Sequence, residues 1–206
     1  MEGWLDTLSN ALHLFTNAES VFGILIGVGL SAAAGFRVFI PLLGLSIAGY
    51  FQWLPLGEGF AWIASWQALV AFSVAALLEV GAYYIPWLDH ALDMILAPAA
   101  AIAGTILTAS TVGDVSPFLK WSLAIVAGGG VSSLVHLGTS GNRAAASLPS
   151  GGLANPLISS GEGLAALIMT VLAIILAPIA FILSLLLLYR ILRQLSSRKS
   201  ASGASP

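Results

Sequence analysis

Long apolar stretches, interrupted by single polar residues, dominate the hydropathy pattern of this chain. Nearly uncharged segments cover residues 21–36, 38–56, 59–78, 94–113, 121–136 and 163–189. Several of them reach the roughly 20 residues that an α-helix needs to cross about 30 Å of hydrocarbon. The pattern predicts an all-α, polytopic membrane helical bundle of about five spans, within a range of about four to six.

Glycine, proline and aromatic residues divide this pattern into elements. Apolar residues at spacings of three and four predict an interfacial amphipathic helix over residues 1–19. The transmembrane domain is predicted over 20–194, and the Ser-, Lys- and Arg-rich residues 195–206 predict a disordered basic tail. Within the transmembrane domain, the expected spans are 20–50, 65–85, 88–112, 121–137 and 161–194.

Two parts of the transmembrane domain are too interrupted for plain helices. The first segment holds Gly35, Arg37 and Pro41 near its middle. It is either one long helix kinked by proline, or a helix that breaks near Gly35 and restarts toward Pro41. Residues 138–160 are rich in glycine and hydroxyl side chains and hold a single charge, which favours a re-entrant or cavity-lining segment.

Composition excludes several classes of protein. The chain is 58% hydrophobic and 8% charged, whereas ordinary soluble domains carry about 25% charged residues. The net charge of −2 argues against a nucleic-acid partner, and the lack of cysteine excludes disulfides and thiolate metal sites. No nucleophile-elbow, zinc-protease or Walker motif is present, so we expect no enzymatic activity, no metal and no cofactor.

A Gly-x-Arg tripeptide occurs twice inside the apolar body. The copies are Gly35-Phe36-Arg37 and, 106 residues later, Gly141-Asn142-Arg143. A lone glutamate follows each copy, Glu79 after 42 residues and Glu162 after 19. The predicted helices between the copies would place them in opposite orientations, which is compatible with an inverted repeat and with a helix break at each copy.

The residue types in this motif suit an anion. Glycine lets the backbone turn closely, a restarted helix offers free N–H groups, and arginine adds a permanent cation with forked donors. An arginine at membrane depth costs roughly 2.5–3.5 kcal/mol on insertion scales, so it faces protein or a wet cavity. The predicted substrate-binding residues are Gly35, Arg37, Gly141, Asn142 and Arg143.

Glu79, Glu162 and His136 are predicted to pair with these charges or to carry protons. The glutamates have apolar neighbours, and burial of a carboxyl group favours its neutral form. The alternative is that each arginine pairs with one of the two glutamates and only locks the bundle together. For His136, a simple hydrogen bond between helices is the alternative to a place in a proton relay.

A short charged segment lies between the second and third predicted spans. His90 stands between Asp89 and Asp93, a spacing compatible with metal binding but typical of a charged helix start, which we favour. We therefore treat Asp89 and Asp93 as linker acids and predict no metal there.

Orientation follows from basic residues near the last span. Arg190, Arg193, Arg198 and Lys199 place the C-terminus in the cytoplasm by the positive-inside rule.

The chain resembles a bacterial membrane family catalogued as domain of unknown function 4126. The resemblance is carried by four segments: Gly29-Leu30-Ser31-Ala32-Ala33-Ala34-Gly35-Phe36-Arg37 with Pro41, Leu77-Leu78-Glu79, Ile85-Pro86-Trp87-Leu88-Asp89-His90-Ala91-Leu92-Asp93, and Gly141-Asn142-Arg143-Ala144. It covers about residues 20–190 and implies a multi-pass protein of the bacterial inner membrane, without implying an activity.

Two functional hypotheses remain from the sequence. The first is a transporter or channel-like protein, in contact with membrane lipid and forming a homo-oligomer, that handles a small anion or an anionic headgroup at Arg37 and Arg143. The second is a membrane scaffold or assembly partner in which the Arg–Glu pairs are structural.

Overall fold

The computed structural model describes residues 18–82, 86–113, 115–150 and 155–202. The described part is helical, with connecting turns and no strand. The predicted interfacial helix over 1–19 lies outside the described residues except for its last two positions, which begin the first helix. The α-helices are α1 Ala18–Phe36, α2 Phe39–Tyr50, α3 Trp66–Ala82, α4 Pro86–Thr111, α5 Pro117–Leu123, α6 Gly130–Ser150, α7 Asn155–Ile175 and α8 Ala177–Ser202.

Within the described residues, five segments are long and apolar enough to cross a membrane: Ala18–Phe36, Met94–Thr111, Pro117–Ala145, Leu157–Ile175 and Ala177–Ser196. The third of these joins α5 to α6 through the π-helical segment Ala124–Gly129. The chain is therefore a multi-pass, all-helical membrane protein, as predicted. The division into spans differs from the predicted one. The predicted segments 20–50 and 161–194 each form two helices, and α2 and α3 are too short to count among the five spans.

Helix α1 lies at the centre of the bundle. It packs against α4, α6, α7 and α8, and Leu30, Ala32, Ala33 and Ala34 are fully buried within it. Small side chains let neighbouring helices approach closely, which is the usual basis of helix association in lipid. The arginine motif that ends α1 is thus held against several helices at once.

Pro41 explains the break between α1 and α2. Its ring removes the N–H that would bond to the carbonyl of Arg37, four residues earlier, and clashes with that carbonyl. The N–H of Arg37 still reaches the carbonyl of Ala33 at 3.1 Å, so α1 stays regular up to that point. Of the two alternatives for residues 20–50, the structure has the broken helix.

A second break separates α7 from α8 at Leu176, beside Pro178. A β-carbon placed on Gly29 would lie 2.9 Å from that of Ala173 in α7 and 3.1 Å from that of Ala180 in α8. Residues on both sides of the bend therefore meet α1 at one point.

Glycine also permits the close contact between α4 and the π-helical segment. A β-carbon on Gly104 would lie 2.5 Å from the carbonyl oxygen of Gly128. Ser31 of α1 donates to the carbonyl of Gly104 at 2.8 Å, and Ser132 donates to the carbonyl of Ala100. Ala100 and Gly104 of α4 thus bring α1, α4 and α6 together at a three-helix junction.

The predicted helix break at Gly141–Arg143 is wrong. Helix α6 runs without interruption from Gly130 to Ser150, so residues 138–150 continue a span and do not form a separate re-entrant segment. Within α6 no proline occurs before Pro149, and the three alanines of 144–146 have the highest helix propensity of any residue type. The two Gly-x-Arg motifs thus have different backbone settings, which lends the predicted inverted repeat no support.

The C-terminal helix is longer than expected. Helix α8 continues to Ser202, so the structure describes residues 195–202 as helix rather than as the disordered tail that their composition predicted. Adding residues to an existing helix requires no new nucleation, which explains why polar residues extend it. Residues 203–206 lie outside the described part.

The two ends of the bundle differ in chemistry. At one end the Gly57 N–H donates to the Ser110 carbonyl at 2.8 Å, which ties the loop after α2 to the end of α4. This end, here called the aromatic end, carries the exposed side chains Tyr50, Phe51, Trp53, Trp62 and Trp66, as expected for a membrane interface. The opposite end, here called the arginine end, contains Arg37, where α1 stops.

Candidate functional site

Arg37 is buried at the arginine end of α1. Its side chain is 1% exposed. Its Nη2 donates to the carbonyl oxygen of Ser159 at 2.8 Å and to the hydroxyl of the same residue. The same nitrogen lies 3.8 Å from Oε2 of Glu162. The break after α1 therefore directs the guanidinium of Arg37 toward the first turns of α7.

Arg143 reaches the same carboxylate from α6. Its Nη1 forms a close ion pair with Oε2 of Glu162, and its Nη2 donates to Ser140 at 3.3 Å. The structure thus brings together the two predicted arginines, although only one of them stands at a helix break. Glu162 lies between both cations, so these three side chains sum to a formal charge of +1.

Glu79 caps a helix, a role that the sequence did not predict, and its carboxylate also interacts electrostatically with Arg37 and Arg143. Its Oε1 accepts the N–H of Val38 at 2.8 Å, and its Oε2 accepts the N–H of Phe39 at 3.0 Å. The first N–H groups of a helix lack partners within the helix, and a negative charge there is favourable. Glu79 in α3 is therefore the cap of α2, supplied by a neighbouring helix.

His136 belongs to the same polar cluster. It is buried in α6, and its Nε2 lies 3.5 Å from the Ser140 hydroxyl, which in turn contacts Arg143. Spacings of four and three residues place His136, Ser140 and Arg143 on one face of α6. The cluster therefore extends along α6 from His136 to the shared carboxylate of Glu162.

The other predicted substrate-binding residues do not line this cluster. A β-carbon on Gly35 would lie 2.7 Å from the carbonyl oxygen of Ser132, so this glycine permits close packing of α1 on α6. Gly141 is half-buried within α6. Asn142 is exposed and accepts a hydrogen bond from Gln194 of α8 at 3.0 Å, which joins two helices at the surface.

The linker acids Asp89 and Asp93 stand in the first turns of α4, where the predicted helix start is confirmed. Their side chains and that of His90 lie outside the described residues. Elsewhere in the described ranges, no group of three potential metal ligands comes together.

An apolar groove of about 550 Å³ runs between α2 and α7. Arg37, Ser159 and Ser160 line its arginine end, aliphatic side chains line its length, and Trp53 marks its aromatic end. Gly44 and Thr170 form its floor, where a β-carbon on Gly44 would overlap the Thr170 methyl group. No pattern along the sequence reveals this groove, because it depends on how two separate helices cross.

Comparison with known proteins supplies a family but no relative of known activity. No curated protein and no solved structure matches the chain. The family model for a domain of unknown function, DUF4126, matches residues 24–197, which include Arg37, Arg143, Glu79 and Glu162. The chain is thus a multi-pass membrane protein that belongs to the DUF4126 family.

Proposed function

We propose that this protein is a transporter or channel-like protein for an anion or an anionic headgroup. One observation carries the proposal: Arg37 and Arg143 share the single carboxylate of Glu162 beside a groove that Arg37 lines. Arginine is a permanent cation, and in a medium of low dielectric constant the guanidinium at the end of the groove attracts an anion strongly.

The contacts of Arg37 suit exchange with a ligand. Its Nη2 bonds to the carbonyl and hydroxyl oxygens of Ser159, which are neutral acceptors. Hydrogen bonds from arginine to carboxylate or phosphate are roughly twice as strong as those between neutral groups. An anion that replaces Ser159 as the acceptor therefore gains the stronger interaction without breaking the ion pair between Arg143 and Glu162.

His136 and Glu162 are the two members of the cluster that can change charge. His136 is joined to Arg143 through Ser140, and both His136 and Glu162 are buried. In the proposal, protonation of His136 or Glu162 balances the charge of a bound anion. Glu79 serves the site indirectly, because its cap on α2 holds the helix break that positions Arg37.

The same contacts support a second candidate function, that of a membrane scaffold or assembly partner. Arg37 and Arg143 are 2% and 3% exposed, and both face Glu162 inside the bundle. Truncating one partner of such a cluster destabilises a protein whether or not a ligand binds. Stability measurements alone therefore do not separate the two functions.

Reconstitution into liposomes tests the proposal. We would measure the movement of chloride, inorganic phosphate and a short-chain fluorescent phosphatidylglycerol for the wild type and for Arg37→Gln. Arg190→Gln is the matched control, because it removes an exposed arginine from α8. Movement of at least one probe that is lost in Arg37→Gln and kept in Arg190→Gln supports transport. Equal rates in all folded variants would contradict it and favour the scaffold.

Localisation and assembly complete the proposal. We place the protein in the bacterial inner membrane with the C-terminus in the cytoplasm, because Arg190, Arg193 and Arg198 cluster at the arginine end of α8. We also propose a homo-oligomer in which copies meet through α8, since this helix presents exposed apolar side chains along its length. Native mass spectrometry of the purified protein tests the oligomer, and a C-terminal reporter fusion tests the orientation.

A further inference from the structure

We infer that the ligand of the groove between α2 and α7 is an acidic phospholipid of the surrounding membrane. One acyl chain lies in the groove, and the phosphate lies at the end marked by Arg37 and Ser160. This inference rests on the anion site proposed at Arg37 and names its ligand class, but it does not require transport.

Access to the groove favours a lipid over an ion from water. Leu164, Leu167 and Ile175 stand along the groove and are 60%, 51% and 71% exposed. In a membrane such side chains face hydrocarbon, so a hydrated ion would have to shed its water to enter from this side. A phospholipid chain already occupies that space.

The groove is longer than one leaflet of the hydrocarbon core. Fifteen residues of α7 separate Ser160 from Ile175, which corresponds to about 22 Å at 1.5 Å per residue. Half of a hydrocarbon core about 30 Å thick is about 15 Å, so an acyl chain fits between the two ends. The volume of about 550 Å³ also lies within the range of roughly 300–1,000 Å³ that small-molecule sites occupy.

Polarity is confined to the arginine end. Thr170 lies midway along the groove, but its hydroxyl donates to the Ala166 carbonyl at 2.7 Å, and its methyl group faces Gly44. The hydroxyl of Ser160 and the guanidinium of Arg37 stand together at one end, and Ser160 is exposed there. An apolar body with one polar end matches a chain attached to a headgroup.

The charge of the cluster selects an acidic headgroup. Arg37 lines the groove and its Nη2 donates to Ser159, so a phosphate that replaces Ser159 as the acceptor gains a charge-assisted hydrogen bond, and Ser160 stands beside it at the surface. A zwitterionic lipid brings its own cation to the site, whereas an acidic lipid does not.

Two glycines of α7 give a matched test. A β-carbon on Gly163 or on Gly161 would meet nothing within 4 Å, so both positions accept a large side chain without a clash at the β-carbon. Gly163 lines the groove, and Gly161 does not. Gly163→Trp therefore fills the groove, and Gly161→Trp makes the same change on the same helix beside it.

The experiment is native mass spectrometry of the full-length protein. The protein is equilibrated with equal amounts of phosphatidylglycerol and phosphatidylcholine that carry identical chains. We expect phosphatidylglycerol to be retained over phosphatidylcholine by about tenfold, or about 1.4 kcal/mol. Retention should be lost in Gly163→Trp and kept in Gly161→Trp, and Arg37→Lys should keep the preference because it keeps the charge.

Several results would overturn the inference. They are equal retention of the two lipids, equal retention in both tryptophan variants, or displacement of phosphatidylglycerol by equimolar oleate, which would make a free fatty acid the ligand. The outcome is separate from that of the transport assay. Selective lipid binding without flux would remove the proposed transport and leave the lipid site. Flux of inorganic phosphate without lipid binding would remove the lipid site and leave the proposed transport.

Discussion

Glu79 of α3 accepts the backbone N–H of Val38 at 2.8 Å, although the two residues are 41 positions apart. The same carboxylate accepts the next N–H along the chain, so one side chain provides both hydrogen bonds at the start of α2. Pro41 carries no N–H, which removes another of the donors that a helix start leaves without a partner. The break that presents Arg37 thus depends on one proline and one distant glutamate.

The first prediction concerns this cap. Glu79→Ala should lower the free energy of unfolding by about 1–2 kcal/mol, the range known for lost helix caps, because two buried N–H groups lose their acceptor. Glu79→Gln should cost less, because its single carbonyl oxygen still accepts one of them. Thermal unfolding in detergent micelles measures both, with the exposed Glu58→Ala as the control. An unchanged midpoint for Glu79→Ala would show that the cap is not needed.

The second prediction concerns the contact between α1 and α6. Gly35→Ala should destabilise the protein by about 1–3 kcal/mol, the range known for overpacked cores. The added carbon would lie 2.7 Å from the carbonyl oxygen of Ser132, which is backbone and cannot rotate away. Gly81→Ala is the control, since a carbon there meets nothing within 4 Å and alanine favours helix. Similar unfolding midpoints for the two variants would refute this role of Gly35.

The third prediction concerns the shared carboxylate. Glu162→Gln should destabilise the fold by roughly 3–5 kcal/mol, because it leaves Arg37 and Arg143 close together without the negative charge between them. The double variant Glu162→Gln/Arg143→Gln should recover part of this loss, since it removes one positive charge as well. A double-mutant cycle of unfolding free energies gives the coupling between the two residues. If the two changes in unfolding free energy simply add, the ion pair between Arg143 and Glu162 contributes no coupling energy.

Sequence reasoning identified most of the residues in the cluster but not how they pair. Arg37, Arg143, Glu162 and His136 stood out because charged groups are rare in so apolar a chain, and the structure brings them together. The pairing itself depends on the crossing of α1, α6 and α7, which no spacing along the chain contains. For that reason the expected one-to-one pairing of arginines with glutamates missed the shared role of Glu162.

The difference between the two Gly-x-Arg motifs has a local cause. The first is followed by Pro41, four residues beyond Arg37, and the helix breaks there. The second is followed by three alanines, and α6 continues through it. Pro41, four residues after Arg37, therefore predicts the helix break, whereas the Gly-x-Arg tripeptide by itself does not. The capping role of Glu79 also follows from that break, because only a restarted helix needs an acceptor.

The proposal depends above all on Arg37, whose positive charge at the end of the groove binds the anion. Two double variants with the same net charge test it most directly: Arg143→Gln/Glu162→Gln retains Arg37, and Arg37→Gln/Glu162→Gln retains Arg143. In the liposome assay, we expect movement of the probe carried by the wild type to persist in the first variant and to be lost in the second. Equal rates in the two folded variants would contradict it.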